Sequence, residues 1–361
     1  MHIGIHAGTD LAGQRTGVEE YIYQLLHSFP SAGGASGHTF SIYVRNSAVL
    51  GDAPSFFIEK PLHSPFLWTQ GRLMLETRIR RPDILFVPGQ IPPLLSGCPY
   101  IMTVHGLEFL RYPEKYSFAR RWYLRNGTMA ALRRARGIIA VSDSTKKDLT
   151  HFFGIEPSRI RVIHHGYSGP PDEVRAGAPQ QEKGIPFMLY IGRIETKKNV
   201  DGMVRAFEIF KRATGAPHRF VLAGKDGFGN EKIRQMARKS PFAEDIIFRG
   251  YVTQEEKWRL LSSCGAFVFA TWYEGFGMPI LEAQAARAPV ITSSVSSMPE
   301  VAGEGAFLVD PARPEEIAKA IEVVLENEER RAGLIEAGQA NLVRFSWKKC
   351  AQETLDAIVS S

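Results

Sequence analysis

Short apolar runs alternate with helix-length segments along almost the whole chain, and that alternation narrows the fold more than any other feature. In the first half the runs are His2 to Ala7, Phe40 to Val44, Ile84 to Val87, Tyr100 to His105, Gly137 to Ser142 and Ile160 to Ile163. In the second they are Phe187 to Ile191, Phe220 to Ala223, Ile246 to Tyr251, Ala266 to Ala270, Val290 to Ser293 and Phe307 to Asp310. A strand covered on both faces reads as a continuous apolar run, and parallel neighbours need a long crossover between them. The pattern therefore predicts an α/β chain with parallel sheets and helices on both faces. A single core is too small a container for 361 residues. Between the two series lies YSGPPDEVRAGAPQQEKGIP, rich in Gly, Pro and charge and without apolar periodicity, which reads as a linker. The expected organisation is a doubly wound domain over 1–167, a linker over 168–186, a second doubly wound domain over 187–344, and a C-terminal segment, 345–361, with a helical pattern from Trp347 to Val359.

Composition excludes some classes. Apolar residues make up 44% and charged residues 23%, as in soluble globular proteins, and the longest apolar runs are of strand length. The N-terminus enters a strand pattern directly, so no signal peptide is expected. The three cysteines, Cys98, Cys264 and Cys350, are scattered without metal-ligand spacing and fit a reducing cytoplasm. The net charge of +6 suits anionic small ligands, an anionic membrane surface or nucleic acid alike. HExxH, paired CxxC, GxSxG and Walker-type sequences do not occur, so metalloprotease, hydrolase and P-loop readings have no support.

Ligands of doubly wound sheets bind beyond the carboxyl ends of the strands, which makes the residues after each run the candidates. The run Ala266 to Ala270 leads into Glu274-Gly275-Phe276-Gly277 and a helical pattern that starts at Pro279 and carries Glu282. Proline suits a first helical turn, and the glycines let the backbone approach a ligand, so this is an anion site built from free N–H groups and flanked by two carboxylates suited to hydroxyls. After Phe187 to Ile191 come Arg193 and Lys198, able to clamp a diphosphate. The alternative is a solvated basic turn for these two and a first-turn charge plus a surface residue for the two glutamates. His105 closes a run in the first half and Gly17 opens its first helix. Ser142 reads as a helix cap, and Thr253-x-x-Glu256 as a capping box. The adjacent His164 and His165 point to opposite faces of a strand, which argues against a shared metal. Gly224 to Gly229 lacks the GxGxxG spacing. A predicted helix with Arg120, Arg121, Arg125, Arg133, Arg134 and Arg136 among Trp122 and Tyr123, and a second with Arg72, Arg78, Arg80 and Arg81, suit either solvent or an anionic bilayer.

Together these segments resemble the retaining glycosyltransferases of the group 1 family (family four). The resemblance rests on TGVEEYIYQLL, PDILFVP, TVHGLEFL, GIIAVSDSTKKDL, IRVIHHG, YIGRIETKKNV, FRGYV and, most specifically, EGFGMPILEAQAARAPVITSSVSSMPEVAGEGAFLVDP with its E-x7-E pattern. It implies the GT-B fold, two Rossmann-like domains facing each other across a cleft, with the final helix crossing back to the first. It implies that Arg193 and Lys198 bind the donor diphosphate, that Glu274 with the Gly275–Phe276–Gly277 backbone holds the transferred sugar and phosphate, and that Glu282 holds the ribose. His105 would contact the sugar, Gly17 would lie near the diphosphate, and Tyr251 with Val252 would border the base. No metal or other cofactor is implied, since Arg and Lys stand in for it. Many relatives have an Asp where this chain has Gly106, and an Asn-Gly ending where it has IHHGY. The expected reaction is retaining transfer of a hexose, mannose first, from a nucleoside diphosphate sugar to a glycan or lipid-linked saccharide. The expected setting is cytoplasmic, without nucleic acid, with peripheral association at the inner face of the membrane through the basic helices. The alternatives are a catalytically silent sugar-nucleotide-binding subunit and another GT-B enzyme, such as a sugar-nucleotide epimerase.

Overall fold

The structure is a computed structural model, and it describes residues 1–8, 15, 17–45, 54–64, 66–89, 91–170 and 186–361. The chain divides into two compact units, Met1–Gly166 with Phe345–Ser361, and Tyr167–Arg344. Residues 171–185 of the expected linker lie outside the described residues.

The first unit contains β1 (His2–Ala7), α1 (Gly17–Ser28), β2 (Thr39–Val44), β3 (Phe57–Pro61), α2 (Met74–Ile79), β4 (Ile84–Val87), β5 (Tyr100–Val104), α3 (Glu108–Arg111), α4 (Phe118–Arg134), β6 (Gly137–Ala140), α5 (Asp143–Phe153) and β7 (Ile160–Val162). Its strands are parallel, in the order β3-β2-β1-β4-β5-β6-β7. The second unit contains β8 (Phe187–Ile191), α6 (Val200–Thr214), β9 (Arg219–Ala223), α7 (Asn230–Arg238), β10 (Ile246–Gly250), α8 (Gln254–Ser263), β11 (Ala266–Phe269), α9 (Met278–Ala285), β12 (Val290–Ser293), α10 (Met298–Ala302), β13 (Phe307–Val309), α11 (Pro314–Glu326) and α12 (Glu328–Asn341). Its sheet is also parallel, in the order β10-β9-β8-β11-β12-β13. The last helix, α13 (Trp347–Val359), belongs to the first unit and packs on α1.

Strand interiors such as Ile84–Val87 and Val290–Ser293 are buried along their whole length, which explains their uninterrupted apolar sequence. Helix α13 buries Trp347, Cys350, Ala351, Leu355 and Ile358, the spacing of one helical face. Its first turn passes so close to Gly166 that a side chain there would lie 2.1 Å from the Trp347 nitrogen. All three cysteines are buried and free. Burial raises the thiols of Cys264 and Cys350 to about 12 and keeps them protonated, in line with a packing role.

The structure corrects several expected boundaries. The runs expected to reach His105, Ser142, Tyr251 and Ala270 stop as strands at Val104, Ala140, Gly250 and Phe269. Ser142 instead caps α5, its Oγ accepting from the Thr145 nitrogen at 3.0 Å. Helix α4 ends at Arg134 and leaves Arg136 beyond it, and α2 ends at Ile79, before Arg80 and Arg81. Edge strand β3 was not expected. Its sequence, FIEKP, carries two adjacent charged residues and ends in proline, which suits an edge. No helix among the described residues is long and apolar enough to cross a membrane.

Candidate functional site

In the second sheet the strand order reverses between β8 and β11, the place where doubly wound folds open a crevice for ligands. Both chain segments leaving that point carry candidates. After β8, Arg193 is exposed, and its carbonyl accepts from the buried Tyr190 hydroxyl at 3.0 Å, which fixes the turn beneath the guanidinium. Lys198 follows on a short 3-10 turn and its Nζ lies 2.8 Å from Glu274 Oε1. The two side chains are 20% and 17% exposed, so the pair sits in a partly shielded position where charge acts more strongly than in open solvent.

After β11, the EGFG loop delivers Glu274 and then starts α9. Gly277 adopts φ 102° at the N-cap, a left-handed conformation that favours glycine, while Gly275 does not have a positive φ. No side chain caps α9, and proline occupies its first turn, so N–H groups remain at the helix end for an anion. The Phe276 side chain is buried, 4% exposed, so the ligand role expected of this residue falls to its backbone alone. The loop is held from behind: Ser296 Oγ and Ser297 Oγ donate to the Glu274 carbonyl at 2.6 and 2.9 Å, and Ser297 Oγ also lies 2.8 Å from the Phe276 carbonyl. Further along α9, Glu282 Oε1 receives Lys257 Nζ at 2.6 Å.

Asn199 ties these segments together. Buried at φ 56°, it donates from Nδ2 to the carbonyls of Ala270 and Pro311, both at 2.8 Å. It thus links the residue after Lys198 to the end of β11, four residues before Glu274. On the other side of β8, Gly224 N donates to the Gly250 carbonyl at 2.7 Å, which joins the ends of β9 and β10. Tyr251 follows, 43% exposed, with Lys225 Nζ 5.0 Å from its ring centroid, while Val252 is buried.

The first sheet reverses order between β1 and β4. Gly17 is the first residue of α1, and most of the loop before it lies outside the described residues. A methyl group on Gly89 would lie 2.7 Å from Val18 Cγ1 and 3.7 Å from His105 Nε2, so the ends of β4 and β5 and the start of α1 meet at this reversal. His105 Nε2 is 2.7 Å from the Pro88 carbonyl, which can only accept, so Nε2 carries the hydrogen. Burial lowers the pKa of this histidine to about 4, against a smaller opposing effect of the Pro88 bond. The ring is therefore neutral at pH 7, with Nδ1 as an acceptor. Tyr21 meets His105 edge-on at 4.8 Å and stacks on His165 at 4.5 Å, and His165 stacks on Trp347 at 5.9 Å. His164 meets a different ring, Phe345, at 5.6 Å.

The structure therefore gathers Arg193, Lys198, Glu274, Gly275, Phe276 and Gly277 at one switch point, with Glu282 further along α9 and Tyr251 with Val252 at the end of β10. It gathers Gly17 and His105 at the other unit's switch point. Asn199, Ser296, Ser297, Lys225 and Lys257 were missed. Of these only Asn199 had a local signal, since Asn tolerates left-handed backbone better than most residues.

Two family models match the chain, one described as glycosyl transferases group 1 over residues 175–341, the other as glycosyltransferase family 4 over residues 15–168. The chain is 28% identical to O-antigen chain mannosyltransferase B of Escherichia coli over 263 residues, 71% of this chain and 69% of that protein. It is 26% identical to the serotype-specific mannosyltransferase WbdA of the same organism over 281 residues, which cover 75% of this chain but only 34% of the longer relative. Its fold is similar to that of Anabaena HepE, solved in complex with UDP-glucose, with a TM-score of 0.75, 17% identity and complete coverage of both chains.

Proposed function

Because the chain belongs to the group 1 glycosyltransferases and has their GT-B fold, we propose that it transfers a hexose from a nucleoside diphosphate sugar to a glycan or lipid-linked saccharide. The observation that carries this reading is the Lys198–Glu274 pair at the β8/β11 reversal, beside the glycine-led end of α9. One cation and one carboxylate at hydrogen-bond distance, next to the N-terminal end of α9, suit a molecule that has a diphosphate at one end and sugar hydroxyls at the other.

Arg193 and Lys198 take the diphosphate and stabilise the charge that grows on it as the sugar leaves. They do so in place of a metal ion. Glu274 accepts from sugar hydroxyls, and the Gly275 to Gly277 backbone donates to phosphate. The Glu282 oxygen not engaged by Lys257 accepts from the ribose, and Tyr251 and Val252 border the base. In the first unit, the neutral His105 and Gly17 are assigned to the sugar and the diphosphate. The bond from the anomeric carbon to the phosphate oxygen breaks, and a bond to the acceptor oxygen forms on the same face. The acceptor's proton passes to the departing phosphate oxygen, so configuration is retained.

Mannose is favoured as the sugar because several relatives are mannosyltransferases. The test is a panel of nucleotide sugars that includes GDP-mannose and UDP-glucose, read as thermal stabilisation and as slow donor hydrolysis. Stabilisation and hydrolysis by one donor, GDP-mannose first, are expected. A panel without either response contradicts the transferase reading, and a response to UDP-glucose alone replaces mannose with glucose.

A further inference from the structure

The pairing of β11 with β12 stops at Phe269 and Thr292, so the segment from Ala270 to Gly277, which carries Glu274, runs beyond the sheet. Side chains take over as donors to its carbonyls. Thr292 Oγ1 donates to Phe269 at 2.9 Å and Asn199 Nδ2 to Ala270 at 2.8 Å. Ser293 Oγ donates to Thr271 at 2.6 Å, Ser296 Oγ to Glu274 at 2.6 Å, and Ser297 Oγ to Phe276 at 2.8 Å. All of these except Asn199 come from one run, Thr292 to Ser297, whose hydroxyls climb the segment in step with it.

The last two hydroxyls hold the glycine turn itself. Ser297 is fully buried, and its one hydrogen is within reach of two carbonyls, Glu274 at 2.9 Å and Phe276 at 2.8 Å. Because Ser296 also donates to Glu274, Ser297 is left for Phe276, and the pair together fixes both carbonyls. Ser296 reaches its partner from φ 58°, a left-handed backbone that serine seldom adopts and that persists where its surroundings dictate it.

Each of these bonds also orients the opposite edge of a peptide. A trans peptide is planar, with C=O and N–H pointing in opposite directions, and the described residues contain no cis bond. Carbonyls of Glu274 and Phe276 held by the loop after β12 turn the N–H groups of Gly275 and Gly277 away from that loop. In the strand order, β8 lies across β11 from β12, and Lys198, which follows β8, meets Glu274 at 2.8 Å.

We propose that Ser296 and Ser297 are positioning residues of the donor site. Ser296 sets the backbone from which Glu274 reaches the sugar, and Ser297 aims the Gly277 N–H at the diphosphate. This role rests on the reading of Glu274 and the Gly275 to Gly277 backbone as donor contacts.

The test compares Ser296→Gly, Ser297→Ala and Lys198→Ala with the parent, by nucleoside diphosphate release from the preferred donor and by nucleoside diphosphate binding in calorimetry. Glycine takes φ 58° without a Cβ penalty, so Ser296→Gly should keep its thermal midpoint within a few degrees of the parent. Its kcat should nevertheless fall about tenfold or more, with the Kd for nucleoside diphosphate unchanged. Ser297→Ala should instead raise that Kd about tenfold. If Ser297→Ala does not fold, Ser297→Cys, close in size and a weaker donor, takes its place. Residues that only stabilise the fold would lower the thermal midpoint and leave kcat and Kd at parental values. That result, or parental kinetics from both serine variants beside an impaired Lys198→Ala, overturns the positioning role alone. A parent that releases nothing from any donor, or parental release by Lys198→Ala, overturns the donor site and the positioning role with it.

Discussion

Lys198 already has a partner in Glu274 at 2.8 Å, so under the proposed function a donor diphosphate would share the ammonium with the carboxylate assigned to the sugar hydroxyls. Arg193 differs in being exposed, and its planar fork suits bidentate contact with phosphate. Arg193→Lys keeps the charge and loses the fork, so kcat/KM should fall about tenfold or more, and unchanged kinetics would remove Arg193 from the diphosphate site. Glu282→Gln should weaken nucleoside diphosphate binding measured by calorimetry, and an unaltered Kd would count against the ribose contact. Histidines set the acid response. His6 and His105 are lowered to about 4 in the fold and His165 is lowered well below 6.5, in each case by burial first. Between pH 6.5 and 4 the unfolded chain binds protons that the folded chain refuses, so stability falls as pH falls through that window and is flat above it with respect to these groups. Each costs at most about 2 kcal/mol at pH 5. Urea midpoints at pH 7.5 and pH 5 check the sign, and a higher midpoint at pH 5 would contradict it.

Among elements, the turn joining β8 to α6 matters most, because Asn199 holds it against β11 and the segment after β13. Asn199→Ala loses two buried hydrogen bonds and strains a left-handed backbone, about 3 kcal/mol together, whereas Asn199→Gly relieves the strain and loses only the bonds. Denaturant unfolding should therefore rank Ala below Gly below the parent, and equal stability of the two variants would mean that the backbone conformation is not what Asn199 supplies. The element pattern also shows what sequence can reveal. Buried central strands such as β4 and β12 are legible because both faces demand apolar residues. Edge strand β3 is not, since one neighbour and partial exposure let FIEKP carry Glu59, Lys60 and a closing proline. The EGFG turn and Arg193 to Lys198 were legible because glycine, proline and charge cluster there. Their supports were not: Lys257 reaches Glu282 from 25 residues away, and Ser296 and Ser297 reach back across 22 and 21 residues to Glu274 and Phe276. Such pairings follow from strand order, which local patterns do not encode.

For the whole molecule, the last 17 residues complete a unit begun by the first 166. Helix α13 packs on α1 and buries Trp347, Leu355 and Ile358, and its Trp347 closes the ring stack with His165 and Tyr21. Removing 345–361 should lower the thermal midpoint of the first unit by several degrees or leave it unfolded, while hydrogen exchange in the second unit stays as in the parent. Uniform loss of protection in both units would show that they unfold together. Central to this account is a donor diphosphate bound by cations at the β8/β11 reversal. Its most direct test is nucleoside diphosphate release from the preferred donor by Lys198→Ala beside the parent. Release should fall about 100-fold or more with the thermal midpoint within a few degrees of the parent. Near-parental release from a folded Lys198→Ala protein would contradict the account.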